Sequence, residues 1–322
     1  MHEVTLRGDG LAVCACAELL RAAGWRVYRE GGTRAKLPSV LLNGASQNLL
    51  LDVFRKPDLL DGLHPITKRI VRWGNDTISL PHSALAVSEG ELLERLGAQE
   101  ATPGTGTYSV LGTRPLPDGV EDLRFGTRVA EAVPVGFETS AEANACWVEA
   151  VEGGWLFAID AGWMLAVGST VEELLGQSKL VRGVVAEITG ERSSFTASPR
   201  IAATLAGENW LACGSAAMGF DPLCGEGTGH AVREAILASA VLKAQVQDGH
   251  WAELSKLYEQ RLRGGFKRHL EQCRLLYASG GEGPWWQSQQ QSVQLGLEAS
   301  RGWVVSAGRY RLEGYELLSL RS

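Results

Sequence analysis

The chain has no apolar run of the roughly 18 residues that a membrane helix needs, so no integral membrane segment is expected. It also lacks a block of basic residues. Its 31 Lys and Arg stand against 37 Asp and Glu, a net charge of −6, which argues against a nucleic-acid partner. No Cys-x-x-Cys pair occurs among the six cysteines at positions 14, 16, 146, 213, 224 and 273. Several of these lie in apolar surroundings. Reduced thiols in a cytoplasmic protein are therefore expected rather than disulfides or zinc, and no metal site is read. No charged and apolar leader precedes the strand-forming residues Val4-Thr5-Leu6, so no secretory signal is read.

What is present is ordinary for a globular enzyme: 322 residues, 45% hydrophobic and 21% charged. That length suits one large domain or two closely joined ones. Ten tryptophans are many, and they suit either a core or a wide, flat ligand pocket.

The start of the chain reads as a βαβ unit. Val4–Leu6 is a strand, Gly8-Asp9-Gly10-Leu11-Ala12-Val13 the turn, Cys14–Ala23 a helix ended by Gly24, and Trp25–Arg29 the second strand. This is the layout of a dinucleotide fingerprint, with Val13 at the place of its third glycine. Glu30, at the end of the second strand, could hold a ribose hydroxyl or be a solvated strand end.

A helix is expected over Gln47–Phe54, and a hairpin over Thr67–Leu80 around Gly74-Asn75-Asp76. Ser88-Glu89-Gly90-Glu91 reads as a capping box before Leu92–Leu96, and the interval from Gly97 to Thr107 as a polar link. Period-two alternation in Thr127–Phe137, Ala145–Val151, Gly154–Ile159 and Trp163–Val167 predicts an antiparallel sheet of about four strands. Such a sheet can roof a substrate cavity or simply cover a helix. Helices are expected at Thr170–Leu175, Ser178–Ile188 and Ala252–Leu276, the last with a kink at Gly264-Gly265. A further helix is expected from Gln287 to Ser322.

The most informative stretch is Trp210–Leu242. A buried strand runs through Gly214-Ser215 into Pro222-Leu223-Cys224-Gly225-Glu226-Gly227-Thr228-Gly229, and a long helix opens near His230. Glycines here admit a ligand to backbone N–H groups, and a helix N-terminus favours an anionic or electron-rich group. By itself such a loop fits ligand binding and plain packing equally well.

In this order the pieces resemble FAD-dependent oxidoreductases of the para-hydroxybenzoate hydroxylase superfamily. The resemblance is nearest to the branch with tryptophan halogenases and the flavoproteins that mature quinone cofactors. It covers almost the whole chain and rests on four pieces. These are Gly8-x-Gly10, Val110-Leu111-Gly112-Thr113-Arg114, Trp155-x-Phe157-x-Ile159-Asp160, and GSAAMGFDPLCGEGTG from Gly214 to Gly229. It implies a mixed α/β fold: a glutathione-reductase-like, Rossmann-type FAD/NAD(P)-binding domain, an inserted antiparallel β-sheet substrate domain and C-terminal helices. The implied FAD-binding domain takes in 1–60, 88–125 and 196–280, the substrate domain 61–87 and 126–195, and the C-terminal helical segment 281–322.

The resemblance implies FAD as cofactor and a monooxygenase reaction on a small aromatic or peptidyl substrate. Electrons would come from NAD(P)H or a separate flavin reductase. Gly8, Gly10, Leu11, Ala12, Val13 and Glu30 would meet the adenosine and pyrophosphate side. Ser215 would stand at the ribitol and pyrophosphate side, Pro222, Gly225, Glu226, Gly227 and Thr228 along the isoalloxazine, and Arg114 and Gly214 also among the cofactor-binding residues. Ser215 replaces the aspartate of the motif, so either FAD binds in a modified manner or the scaffold serves as a binding or accessory protein. No acid or base stands in a matching motif. His64, His82 and Lys68 are the candidates for proton transfer, and an incomplete Trp-x-Trp-x-Ile-Pro match disfavours halogenation.

Overall fold

The structure is a computed structural model that describes residues 1–32, 34, 36–97, 101–303 and 309–320. The Gly97–Thr107 link lies partly outside the described residues, as do 304–308 and 321–322 of the expected C-terminal helix.

Glu3–Arg7 and Arg26–Glu30 pair in parallel, because the helix Leu11–Ala22 carries the chain back across the sheet between them. Tyr108–Leu111 joins Glu3–Arg7 in parallel, and Trp210–Ala212 joins Tyr108–Leu111. The four-stranded order is thus Trp210–Ala212, Tyr108–Leu111, Glu3–Arg7, Arg26–Glu30. Val4, Leu6, Val110 and Leu211 are fully buried in it. Helix Leu11–Ala22 packs on the long helix Gly227–Asp248 through small, buried side chains, Ala15, Cys16, Ala235 and Ala238 among them. The approach is close enough for the Cys16 thiol to reach the Ala235 carbonyl at 3.6 Å.

The second sheet has nine strands rather than about four. Its path runs Val185–Ile188, Val129–Phe137, Trp163–Gly168, Gly154–Ile159, Ala145–Val151, His64–Arg72, Thr77–Val87, Val40–Asn43, and Ser193–Thr196 also pairs with Val129–Phe137. The expected hairpin and the expected meander become one sheet because Lys68–Arg72 runs parallel to Ala145–Glu149. That pairing joins segments far apart in sequence, which period-two alternation cannot reveal. One face buries Trp147, Leu156, Ala158 and Met164 against Val171, Leu174 and Val181. The other presents Trp155, Phe157 and Leu165 toward the C-terminal helices and the glycine-rich loop, and Ile159 toward Ile66, Ala84 and Ala86.

Several local readings hold. Ser88 caps Glu89–Leu96 by accepting from the Glu91 N–H at 3.0 Å. The helix expected at Gln47 begins at Gly44, where Asn43 accepts from the Ser46 N–H at 2.8 Å. Trp251–Gly280 is helical throughout, Gly264 and Gly265 included.

Two readings are corrected. The helix expected over Ser178–Ile188 is a short 3-10 turn, Val181–Gly183, followed by the strand Val185–Ile188. The buried Glu149 carboxylate accepts the N–H groups of Lys179, Leu180 and Val181 at 2.8–2.9 Å. Beyond them Gly183 and the β-branched Val184, Val185 and Ile188 favour extended backbone. The helix expected from Gln287 onward is Pro284–Ala299, which ends in a 3-10 turn at Ser300–Gly302. Tyr310–Glu313 and Glu316–Ser319 then form a hairpin about Gly314, whose φ of +56° is one that glycine adopts without strain. Among the described residues no helix is long and apolar enough to cross a membrane.

Candidate functional site

Three glycines meet where three parallel strands end. Gly8 follows Glu3–Arg7, Gly112 follows Tyr108–Leu111, and Gly214 comes just after Trp210–Ala212. Gly8 has φ +123°, and a Cβ there would lie 3.3 Å from the Gly112 carbonyl carbon. Gly214 has φ +54°, and its Cβ would lie 3.0 Å from Cβ of Ala12. The crevice at the carboxyl ends of such strands is where α/β sheets bind ligands. Gly112 belongs to it as much as Gly8 does, although its short motif gave no reason to single it out.

Val13, at the third-glycine position, is accommodated from the other side. Its Cγ2 sits 2.2 Å from where a Cβ on Gly112 would be. The room that a glycine in the helix would have supplied is supplied by a glycine on the neighbouring strand.

Helix Leu11–Ala22 begins at Gly10 with no side-chain cap, so its first N–H groups face the crevice. Two cations stand beside it. Lys36 Nζ is 2.7 Å from Asp9 Oδ2, and Arg34, ion-paired with Glu89, reaches within 3.8 Å of a Cβ built on Gly10. Helix N-terminus and cations together suit a diphosphate. Glu30 ends its strand exposed, and its carbonyl accepts from the Gly8 N–H at 2.9 Å.

Gly214 and Ser215 face inward. The Gly214 N–H donates to Glu234 Oε2 at 2.7 Å, and the Ser215 hydroxyl donates to the Gly112 carbonyl at 3.1 Å. Glu234 is buried on the helix Gly227–Asp248, and burial pushes its carboxyl up to about 8, against the Gly214 N–H. Arg114 pairs with Asp122 and donates to the Ala216 carbonyl at 3.2 Å, so it holds this turn in place.

The glycine-rich loop is anchored at Asp221. Its Oδ1 accepts from the Leu223 N–H at 3.0 Å, which starts the turn Pro222–Cys224. Its Oδ2 is 3.0 Å from Arg128 Nε and accepts from the Tyr277 hydroxyl at 2.8 Å. Burial raises the Asp221 carboxyl, while Arg128, the Leu223 N–H and Tyr277 all favour its charged form. Arg128 also donates to Gln289 at 2.7 Å. This buried network ties the sheet, the loop and both C-terminal helices together. Beyond it Gly225 and Gly227 have open space where a Cβ would point, and Gly227–Asp248 begins at Glu226 with no side-chain cap. Pro222, Glu226 and Thr228 are half-buried around that second free helix N-terminus.

The sheet face opposite carries aromatic residues and polar pairs. Phe157 packs both against the Trp155 and Tyr277 cluster, which Leu223 and Cys224 of the loop also adjoin, and against the cluster of Ile66, Ala84, Cys146 and Ile159, so one apolar surface runs from the loop to Trp163. At its far end a cavity of about 330 Å³ is lined by His64, Trp163, Ala161, Ser39 and Glu91. His64 Nε2 is 2.7 Å from Asp160 Oδ1, and the pair is half-buried at the rim. Register puts Arg69 on the same face, level with Cys146 and Ile159, and it contacts His82 Nε2 at 3.0 Å. Burial, then Arg69, lowers the His82 pKa and so favours the uncharged ring. The structure does not bring Lys68 here. A bulge after Ile66 turns it toward Glu142, with which it forms an exposed ion pair. Asp160 and Arg69 were not anticipated, since only strand register places them beside His64 and His82.

The architecture is that of the FAD-dependent hydroxylases and halogenases. One similar solved structure is the peptidyl tryptophan dihydroxylase QhpG, essential for tryptophylquinone cofactor biogenesis. Its TM-score is 0.71 at 17% identity, over 98% of this chain and 85% of that one. The flavin-dependent halogenase CmlS matches at TM-score 0.75 and 13% identity, over 93% and 70% of the two chains. A variant of HpxO from Klebsiella pneumoniae, complexed with FAD, matches at 0.65 and 14%, over 94% of each. No protein-family profile matches the sequence, and no curated protein sequence does.

Proposed function

We propose that the chain is an FAD-dependent monooxygenase acting on a small aromatic or peptidyl substrate. The observation that carries this reading is one crevice with two uncapped helix N-termini, at Gly10 and at Glu226, on a fold shared with flavin-dependent hydroxylases. The residues present fit the cofactor. Gly8, Gly112 and Gly214 leave backbone where side chains would intrude, and Arg34 and Lys36 stand where a diphosphate carries its charge. When bound, FAD supplies the redox chemistry of oxygen insertion.

The chain's own groups do the rest. Leu11, Ala12 and Val13 offer N–H donors to the diphosphate, and Glu30 is exposed for a ribose hydroxyl. Gly225, Gly227 and Thr228 offer donors and a positive dipole end to the electron-rich ring. Phe157, Leu165 and Trp163 exclude water from the substrate face. His64, held by Asp160 at Nε2, exchanges a proton with the substrate at Nδ1. QhpG, by its name, acts on a peptidyl tryptophan, and the aromatic sheet face here suits an aromatic side chain of that kind. Electrons come from NAD(P)H or from a separate flavin reductase. The free thiols suit a cytoplasmic setting.

One observation favours a weaker flavin site in an accessory protein. The Gly214 N–H is spent on Glu234 and the Ser215 hydroxyl on Gly112, so neither is aimed at a ligand. The absorption spectrum of the isolated protein decides. Flavin bands, or a thermal shift with added FAD, support the proposal. A colourless protein with no shift at saturating FAD overturns it, and bound flavin without substrate-dependent turnover favours the accessory role.

A further inference from the structure

Cys224, His269 and Cys273 converge from two elements, and the reading above gives none of them a chemical role. Cys224 closes the turn Pro222–Cys224 and is partly exposed. His269 and Cys273 are buried one helical turn apart on Trp251–Gly280, so both project from the same face. The two sulfurs are 3.7 Å apart, Cys273 Sγ is 3.4 Å from His269 Nε2, and all three atoms lie within 4.8 Å of one another.

Those edges can be compared with a coordination polyhedron. Tetrahedral zinc with Zn–S of about 2.3 Å and Zn–N of about 2.0–2.1 Å has S–S edges of roughly 3.8 Å and S–N edges of roughly 3.6 Å. Two of the three edges match to within about 0.2 Å, and the third needs to close by at most about 1.2 Å. We propose that Cys224, His269 and Cys273 bind a single thiophilic divalent cation of the zinc class, with the fourth position open on the exposed side of Cys224.

Charge allows it. Binding one divalent cation to two thiols and an imidazole releases two protons, so the net charge of the site does not change. The Arg128 guanidinium, which faces Asp221 nearby, therefore meets no added positive charge. Geometry sets one cost. His269 Nε2 now accepts from the Asp221 N–H at 2.9 Å, and the cation takes over that lone pair. The Asp221–Cys224 turn must then adjust, so occupancy is coupled to the position of the glycine-rich loop.

The test uses the full chain, held reduced by a phosphine, and needs no flavin. Its result is therefore independent of whether the flavin reading stands. Titration with Co²⁺ alone is expected to give a thiolate-to-cobalt charge-transfer band that saturates at one equivalent. Zn²⁺ should displace Co²⁺ and abolish the band, and Zn²⁺ added to the metal-free protein should release two protons in weakly buffered solution. Cys224→Ser, at the partly exposed ligand, should weaken Zn²⁺ binding by more than the roughly 10–100-fold that outer-shell changes cause. Cys273→Ala should do the same, and Cys146→Ser, on the sheet, should leave the affinity unchanged. Folding of each variant is checked by its thermal transition. Absence of the band, saturation at another stoichiometry, or equal affinity in the folded Cys224→Ser protein overturns the proposal.

Discussion

The Cγ2 methyl of Val13 stands 2.2 Å from where a Cβ on Gly112 would lie, and 3.3 Å from one on Gly8. A side chain at the third position of the fingerprint is thus tolerated because two backbone positions across the crevice carry none. Gly112→Ala is expected to destabilise by about 1–3 kcal/mol through overpacking, measured by denaturant unfolding. In a Val13→Ala background the same change should cost less by at least about 1 kcal/mol. Additive costs would show that the contact does not limit packing.

Glu234 makes stability depend on pH. Its folded-state pKa is raised from 4.5 to about 8, chiefly by burial, so the folded state binds the more protons between those values. The favourable contribution is full below about 4.5 and is lost as pH rises through about 8. Glu234→Gln keeps an acceptor for the Gly214 N–H and cannot ionise. It should remove that slope and leave the variant more stable than the parent at pH 9, by on the order of 5 kcal/mol at most. Parallel stability curves for the two proteins over this range would refute the assignment.

Ser215 is a structural hydroxyl. Ser215→Ala should cost about 1 kcal/mol in unfolding, the worth of one neutral hydrogen bond to Gly112, and leave FAD affinity unchanged. Ser215→Asp restores the carboxylate of the resembled motif, near Arg200 and Arg114, which hold the Ser215 and Ala216 carbonyls. It should tighten FAD about tenfold or more in a flavin-fluorescence titration. An unchanged or weaker affinity would mean the ribitol lies elsewhere.

His64 is expected to move a proton during turnover. His64→Gln should lower kcat by roughly 10²–10⁴-fold for any accepted substrate, with the spectrum of bound flavin unchanged. Lys68→Met, at an exposed pair on the opposite face, should leave kcat as it is. Equal rates in the parent and His64→Gln proteins would remove His64 from the chemistry.

Trp286 shows how tightly the C-terminal helices close on the sheet. It is buried, donates to the Val151 carbonyl at 2.8 Å, and fills the space a Cβ on Gly280 would take. Trp286→Ala should cost about 3–5 kcal/mol, read from thermal or denaturant unfolding. A loss below about 1 kcal/mol would show that this corner collapses freely.

What could be read in advance was what short-range chemistry fixes. Gly8-Asp9-Gly10 between a strand and a helix, Ser88 three residues before Glu91, and Gly74-Asn75-Asp76 between apolar strands each act within a few residues. The failed readings share one cause. The Ser178–Ile188 segment has helix-like spacing, but its first N–H groups are taken by Glu149, a partner about 30 residues away in sequence. The hairpin after Tyr310 is held by Lys243, which reaches the Tyr315 carbonyl at 2.6 Å from another element.

The sequence by itself determined the βαβ start, the late glycine-rich loop before a long helix, and alternating strands between them. Those patterns follow from local sterics and from the periods of helix and strand. The tertiary structure alone decided that Gly8, Gly112 and Gly214 share one crevice and that the Ser215 hydroxyl is taken up by the Gly112 carbonyl. It also decided that Lys68 faces the wrong side while Arg69 and Asp160 face the right one, and that Cys224 meets His269 and Cys273. Each depends on strand register or helix docking, where a shift of one residue exchanges the two faces of a sheet.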